Sequence, residues 1–164
     1  HLFNGMDPLH HRNPGIIGAA FHAGASVELI CDGLHIHPEV IRMVHRLYGE
    51  NLNLISDSLR CAGMPDGDYE LGGQPITVKN GKATLSGTDT LAGSSISMLD
   101  ALRNVVRFGL SLPDAVYAAS TAPAKAARLH DIGELAVGKR ADFLLLDKDL
   151  ELKAVYIDGK KLDI

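Results

Sequence analysis

The stretch VELICDGLHIHPEVIRMVHRLYGENLNLISD occupies residues 27–57 and holds one strand, one helix and a second strand. Residues 27–31 form a short, mostly apolar run ending at Asp32-Gly33, the pattern of a buried parallel strand followed by a loop. Pro38 suits the first turn of a helix. Val40, Ile41, Val44, Leu47 and Tyr48 keep helical spacing, and Gly49 can cap the end. Residues 52–56 make another short strand that stops at Asp57. A helical crossover brings the second strand back in the same direction as the first, so the expected unit is βαβ and the expected sheet is parallel.

Outward from this unit the pattern changes after Gly63. Asp66-Gly67, Gly72-Gly73 and Asn80-Gly81 are turn signals between short segments rich in β-formers, among them residues 74–79. A helix is expected over residues 95–108, stopped by Gly109, a second over 113–120 and a third, short one over 122–129. Residues 141–146 and 153–157 read as strands, with a turn at Asp158-Gly159 and a last strand after it. No internal repeat, low-complexity tract or long linker is visible.

The 164 residues suffice for one compact domain or for a large piece of a bigger one, and the 46% hydrophobic content argues against disorder. A net charge of -4 and a pI near 6.0 give no electrostatic case for nucleic acid or an anionic membrane surface. No apolar run reaches the ~18 residues of a membrane span, and no signal-peptide pattern opens the chain. Cys31 and Cys61 show no CxxC or CxxH spacing; they fit a reducing cytoplasm, and a disulfide stays open at this point. The first residue is histidine, and His1-Leu2-Phe3-Asn4 reads like the middle of a longer chain, so a fragment is expected.

In an α/β barrel, catalytic side chains sit at the C-terminal ends of the strands. His1 (if a strand preceded it), the Asp32-Gly33-Leu34-His35 segment and Asp57 meet that condition. A histidine and an aspartate at different strand ends can jointly hold a metal and its water, and the aspartate can act as general base. Spacing alone does not choose between this and plainer roles. Asp57 would serve equally as a turn cap, His35 as a loop histidine bonded to backbone, and His10-His11-Arg12 as a solvated cationic turn. His22 and His45 fall on expected helices. Leu91-Ala92-Gly93-Ser94-Ser95 opens a helix without the lysine of a nucleotide-binding phosphate loop.

The order and wording of these segments carry more. His1-Leu2-Phe3-Asn4-Gly5-Met6, His10-His11-Arg12-Asn13-Pro14-Gly15, Asp32-Gly33-Leu34-His35 and Ile55-Ser56-Asp57-Ser58 with Ala62-Gly63 closely resemble segments of N-acetylglucosamine-6-phosphate deacetylases. So do residues 69–75 and Thr90-Leu91-Ala92-Gly93-Ser94. Residues 132–142 are similar to a tail found widely among amidohydrolases, where the chain returns to a small β-domain.

The resemblance implies an α/β fold: the C-terminal part of a TIM-type (β/α)8 barrel with part of a small β-sandwich domain. Residues 1–63 would be the last strands and helices of the barrel, 64–90 a β-segment inserted or returning to the small β-domain, 91–130 the closing helices and 131–164 the final strands of the small domain. His1 matches a metal-ligand histidine, and Asp57 the catalytic aspartate that activates the hydrolytic water. Asn4 and Gly5 match a substrate-contacting pair, although alanine is usual at the second position. Arg12 matches an arginine that binds the sugar phosphate and can reach across a dimer interface, so a homodimer is expected. His35 matches a histidine that contacts substrate, and Leu91, Ala92 and Gly93 a loop lining the substrate site. The cofactor would be a divalent metal, with zinc, iron, manganese and cobalt all suiting imidazole and carboxylate ligands. A glutamate and a further histidine that complete the family's metal site would lie upstream of His1, so these residues alone are expected to need that missing part and to lack activity. The expected substrate is N-acetylglucosamine 6-phosphate and the expected location the cytoplasm. Another amidohydrolase, acting on cyclic amides or deaminating bases, and a non-catalytic sugar-phosphate-binding module are the alternatives.

Overall fold

Val27–Ile30 (β1) and Leu52–Ile55 (β2) pair in parallel, with Val27 opposite Leu52 and Ile30 opposite Ile55. Leu29, Ile30, Leu52 and Leu54 are all at most 2% exposed, so both faces of this ribbon are covered, as its near-continuous apolar run requires. The computed structural model describes residues 1–163. Between the strands runs the helix Pro38–Tyr48, which follows Gly15–His22 in the chain (α2 and α1, respectively). The His37 ring accepts from the Glu39 N–H at the start of α2, and Gly49, at φ 53°, ends it. Ile41, Val44 and Tyr48 turn inward, whereas Leu47, expected on the apolar face, stays 46% exposed. The Tyr48 hydroxyl donates to the Ile17 carbonyl at 2.8 Å and its ring meets Phe21 edge-on, which ties α1 to α2.

Gly67–Leu71, Gln74–Lys79 and Lys82–Leu85 (β3, β4 and β5) form an antiparallel meander. Asn80 and Gly81 both have positive φ (51° and 74°), the backbone that a two-residue hairpin with right-handed strand twist demands. Cys61, Ile76, Val78, Ala83 and Ala92 make a second small core beneath this layer.

Met98–Arg107 (α3) starts three residues later than the apolar pattern suggests. Ser97 is its cap: the Ser97 hydroxyl accepts from the Asp100 N–H while the Asp100 carboxylate accepts from the Ser97 N–H, satisfying two backbone donors at once. The two helices expected after it are one continuous rod. Leu112–Val116 (α4) widens into a π turn over Tyr117–Thr121 and continues as Ala122–Ala126 (α5). Pro123 has no N–H to give, and the wider turn immediately before it lets the rod run on where a regular helix would break. Arg128, at φ 56°, stops the rod ahead of the expected Leu129.

Phe143–Leu146, Leu152–Ile157 and Lys160–Lys161 (β6, β7 and β8) form a separate antiparallel sheet, with Phe143 stacked on Tyr156 at 4.4 Å. An apolar cavity of about 570 Å³ lies between α3, the π turn and β6, lined by residues such as Leu102, Ala119 and Phe143. No helix among the described residues is long and apolar enough to cross a membrane.

Leu29 sits at the centre of the main core and is fully buried. Leu29→Ala should lower stability by about 2–5 kcal/mol, because a cavity adds to the lost transfer energy. Urea denaturation followed by far-UV circular dichroism would show this as an earlier midpoint.

Candidate active site at the ends of the parallel strands

Because β1 and β2 run in parallel, the segments that leave them depart from the same edge. Cys31-Asp32-Gly33-Leu34-His35 leaves β1, and Ser56-Asp57 leaves β2.

The first segment is bound tightly to α3. The Asn104 side-chain amide donates to the Cys31 carbonyl at 3.0 Å, and the Phe108 ring lies over Gly33. Gly33 has φ +76°, and a Cβ there would stand 2.9 Å from the Phe108 ring, so only glycine fits. Asp32 then folds the loop on itself. Its Oδ1 accepts from the Leu34 and His35 N–H groups at 2.8 and 2.9 Å, and its Oδ2 lies 2.6 Å from His35 Nδ1. Both side chains are nearly buried, at 3% exposure for Asp32 and 7% for His35. Burial, with the Asp32 carboxylate next to it, pushes the Cys31 thiol up to about 12, so this cysteine is an inert core group. Cys31 and Cys61 are both free thiols, which closes the question of a disulfide between them.

Asp57 has φ 50°, a left-handed backbone that a non-glycine residue adopts only when its surroundings hold it there. The holding comes from the 91–94 segment. The Ser94 N–H donates to the Asp57 carbonyl at 2.9 Å, the Leu59 N–H donates to the Ser94 carbonyl at 2.9 Å, and the buried Ser94 hydroxyl donates to the Ser56 carbonyl. Ser58 pairs with Ser94 in a parallel bridge, and the Ser58 hydroxyl reaches the Ile96 carbonyl. The Asp57 residue itself stays exposed. Gly93 thus packs beside Asp57, while Leu91 and Ala92 pair with Thr84 and Ala83 of β5; Ala92 is buried and Leu91 and Gly93 are half-buried.

His1, Asn4 and Gly5 form one turn. The Leu2 N–H donates to the Glu28 carbonyl at 2.8 Å, which sets this turn alongside β1. His1 Nδ1 lies 3.0 Å from the Asn4 carbonyl oxygen, so a proton on Nδ1 would be engaged there and Nε2 left free, the orientation a metal-ligating imidazole takes. Gly5 has φ +65° with open space around it. His1 therefore fits as one ligand. The set is incomplete within this chain: among the described residues no three His, Cys, Asp or Glu side chains gather where a metal ion would sit. Arg12 is exposed on the turn bridged from His10 to Asn13, and its Nη1 lies 2.7 Å from His11 Nε2. No hydrogen bond or ion pair among the described residues links Asp57 to His1, Arg12 or His35.

Sequence reading singled out the Asp32 to His35 segment, the 90–94 segment and Asp57, but not the hold that Asp32, Asn104, Phe108 and Ser94 exert. Asp32 had a legible signal, since a carboxylate two and three residues before free N–H groups makes an Asx turn. Asn104, Phe108 and Ser94 had none, because each acts on a residue far away in the chain.

Comparison with known proteins places these features in context. The amidohydrolase family model matches residues 18–162. N-acetylglucosamine-6-phosphate deacetylase from Vibrio furnissii is 37% identical over 163 residues, covering 98% of this chain and 41% of the relative. A putative N-acetylgalactosamine-6-phosphate deacetylase from Escherichia coli is 39% identical, over 98% of this chain and 97% of that protein. Among solved structures, a mutant deacetylase from Mycobacterium smegmatis in complex with N-acetyl-D-glucosamine-6-phosphate superposes with a TM-score of 0.93 at 40% identity, covering 98% of this chain and 44% of that one. The Thermotoga maritima deacetylase gives a TM-score of 0.92 at 36% identity, over 98% and 45% of the two chains. The chain thus spans less than half the length of most of the relatives it matches.

Gly93, at φ +60°, is wedged between Leu59 and the Asp57 carbonyl, and an added Cβ would lie 2.8 Å and 3.2 Å from them. Gly93→Ala should cost about 1–3 kcal/mol through backbone strain and displacement of the Asp57 turn. Chemical denaturation measures the loss; an unchanged midpoint would mean the 91–94 segment moves aside freely.

Proposed function

The chain belongs to the amidohydrolase family, and from that premise we propose that it carries the proton-handling and sugar-binding part of an N-acetylglucosamine-6-phosphate deacetylase. The observation that carries this reading is the common edge of β1 and β2. There an exposed carboxylate, Asp57, is locked in a left-handed turn, and an imidazole, His35, is locked by Asp32. On this reading β1 and β2 are neighbouring strands of a (β/α)8 barrel, whose chemistry sits at the strands' C-terminal ends. Residues 1–63 and 91–130 belong to that barrel and 131–164 to the smaller β-domain, while 64–90 is a β-segment inserted between the barrel pieces or returning to the small β-domain.

Asp57 takes the proton of the attacking water and passes it to the departing amine, so the acetamide C–N bond breaks without a covalent intermediate. The products are glucosamine 6-phosphate and acetate. Asn4, Gly5, Leu91, Ala92 and Gly93 line the sugar, His35 contacts it, and the Arg12 guanidinium takes the phosphate with two parallel N–H bonds. A divalent metal, when bound with His1 among its ligands, supplies polarisation of the acetamide carbonyl and a lower pKa for water. Catalytic metals usually take three protein ligands, so the 164 residues by themselves are inactive and bind metal weakly. The protein acts as a homodimer in amino-sugar breakdown in the cytoplasm. Leu9, Ile16, Phe21 and Met43 leave an exposed apolar surface beside the Arg12 turn, which supports an interface there.

The 4-epimer, N-acetylgalactosamine 6-phosphate, is a second reading, favoured by the name and the nearly complete coverage of the Escherichia coli relative. Comparing kcat/KM on the two sugar phosphates decides between them.

In the complete, metal-loaded enzyme that contains these residues, Asp57→Asn should keep substrate binding and lose ~10²–10⁴-fold in turnover, because an amide cannot take the proton. Near-full turnover would remove Asp57 from the mechanism. Arg12→Ala should raise KM for the phosphorylated sugar about ten- to a hundred-fold and leave the slow reaction of the unphosphorylated sugar unchanged. Equal losses on both would assign Arg12 a structural role.

A further inference from the structure

We propose that Asp32 is the positioning residue of the sugar site, holding the proton of His35 on Nδ1 so that Nε2 accepts a hydrogen bond from a substrate hydroxyl. This rests on the deacetylase reading for the identity of the sugar, and on the geometry of the loop for everything else.

A turn-forming aspartate needs one side-chain oxygen, and Oδ1 of Asp32 does that work by accepting from Leu34 and His35 N–H. Oδ2 is left over, and it lies 2.6 Å from His35 Nδ1. A carboxylate facing a ring nitrogen at that distance requires the proton to lie between them, which puts it on Nδ1 in the neutral ring. Water has little access to compete, since the two side chains are 3% and 7% exposed. The loop backbone has no freedom to swing the pair apart, because Asn104 holds the Cys31 carbonyl and Phe108 covers Gly33.

His35 Nε2 is treated differently. It makes no hydrogen bond among the described residues, and it is not fully sealed, since Asn53 Oδ1, on β2, is the described side-chain polar atom that is both enclosed and unpartnered. Nε2 therefore holds what opening remains to a ring that is 7% exposed. An imidazole with one nitrogen tied and the other presented to the outside is oriented to meet a ligand.

Asparagine at position 32 separates turn formation from control of the ring. Its single oxygen keeps the two backbone N–H donors, which leaves the amide NH₂ facing Nδ1. That amide donates, so Nδ1 becomes an acceptor and the proton moves to Nε2. Alanine loses both functions. In the complete, metal-loaded enzyme that contains these residues, the protonated nitrogen of His35 is read from ¹⁵N chemical shifts, with His35→Gln assigning the signal. Wild type should show Nδ1 protonated and Asp32→Asn should show Nε2 protonated. Asp32→Asn should also raise KM for N-acetylglucosamine 6-phosphate about tenfold with kcat little changed, the mark of a lost ground-state contact. If Asp32→Asn matches wild type in both readouts and Asp32→Ala alone is impaired, Asp32 only builds the turn and the proposal is overturned. A shifted proton with unchanged KM overturns the sugar contact. A wild-type enzyme inert towards the sugar phosphate sinks the deacetylase reading and the sugar contact with it, while the ring signature still decides what Asp32 does to His35.

Discussion

Four residues of β1 lie against four of β2 in parallel, and most of the site geometry follows from that pairing. A parallel ribbon exposes its C-terminal carbonyls along one edge, so whatever follows each strand must leave on the same side. Here that brings a carboxylate and an imidazole, separated by a whole helix in sequence, to one edge of the molecule. Fully buried Leu29 and Leu52, with Leu54, make the register costly to slip, since a one-residue shift would carry the exposed Glu28 towards a buried position.

The two strand ends are then secured by different means. After β1, the loop is held from within by Asp32 and from outside by α3. After β2, Asp57 is held in a left-handed turn by a distant segment whose backbone docks on it like a short extra strand. Asp57 is left exposed by its holding groups, whereas His35 is nearly as buried as the Asp32 that holds it. Preorganisation of this kind spares the protein the cost of ordering the side chains when a ligand arrives. The small β3–β5 layer contributes Cys61, Ile76 and Ala92 to a core directly under the 91–94 segment, so a second sheet supports one side of the site.

Local signals in the chain were good guides where the physics is local. Residues 74–79 are a strand bounded as expected, and Asn80-Gly81 makes the hairpin because both positions need positive φ. Ser97 and Asp100 carried a capping box that dates the start of α3 more accurately than the apolar pattern does. The π turn was not legible: Pro123 signals a break, and whether the chain breaks or widens depends on what packs around it. Leu47 shows the same limit, since helical spacing marks a face without saying how much of it a neighbour will cover.

By itself the sequence determined the βαβ unit, the parallel sense of its strands, and the presence of His35 and Asp57 just beyond the strand ends. These follow from periodicity, from turn chemistry and from the impossibility of a hairpin across a helix. It also determined the family, through the wording of segments scattered over the whole chain. Only the tertiary structure decided which atoms these residues present. That Asp32 spends one oxygen on backbone and the other on a ring, that Asn104 and Phe108 grip the loop, and that Gly93 and Ser94 fix Asp57 all depend on long-range packing. Hydrogen bonds to a side chain's second oxygen leave no mark in a linear sequence, because their partners are chosen by the fold.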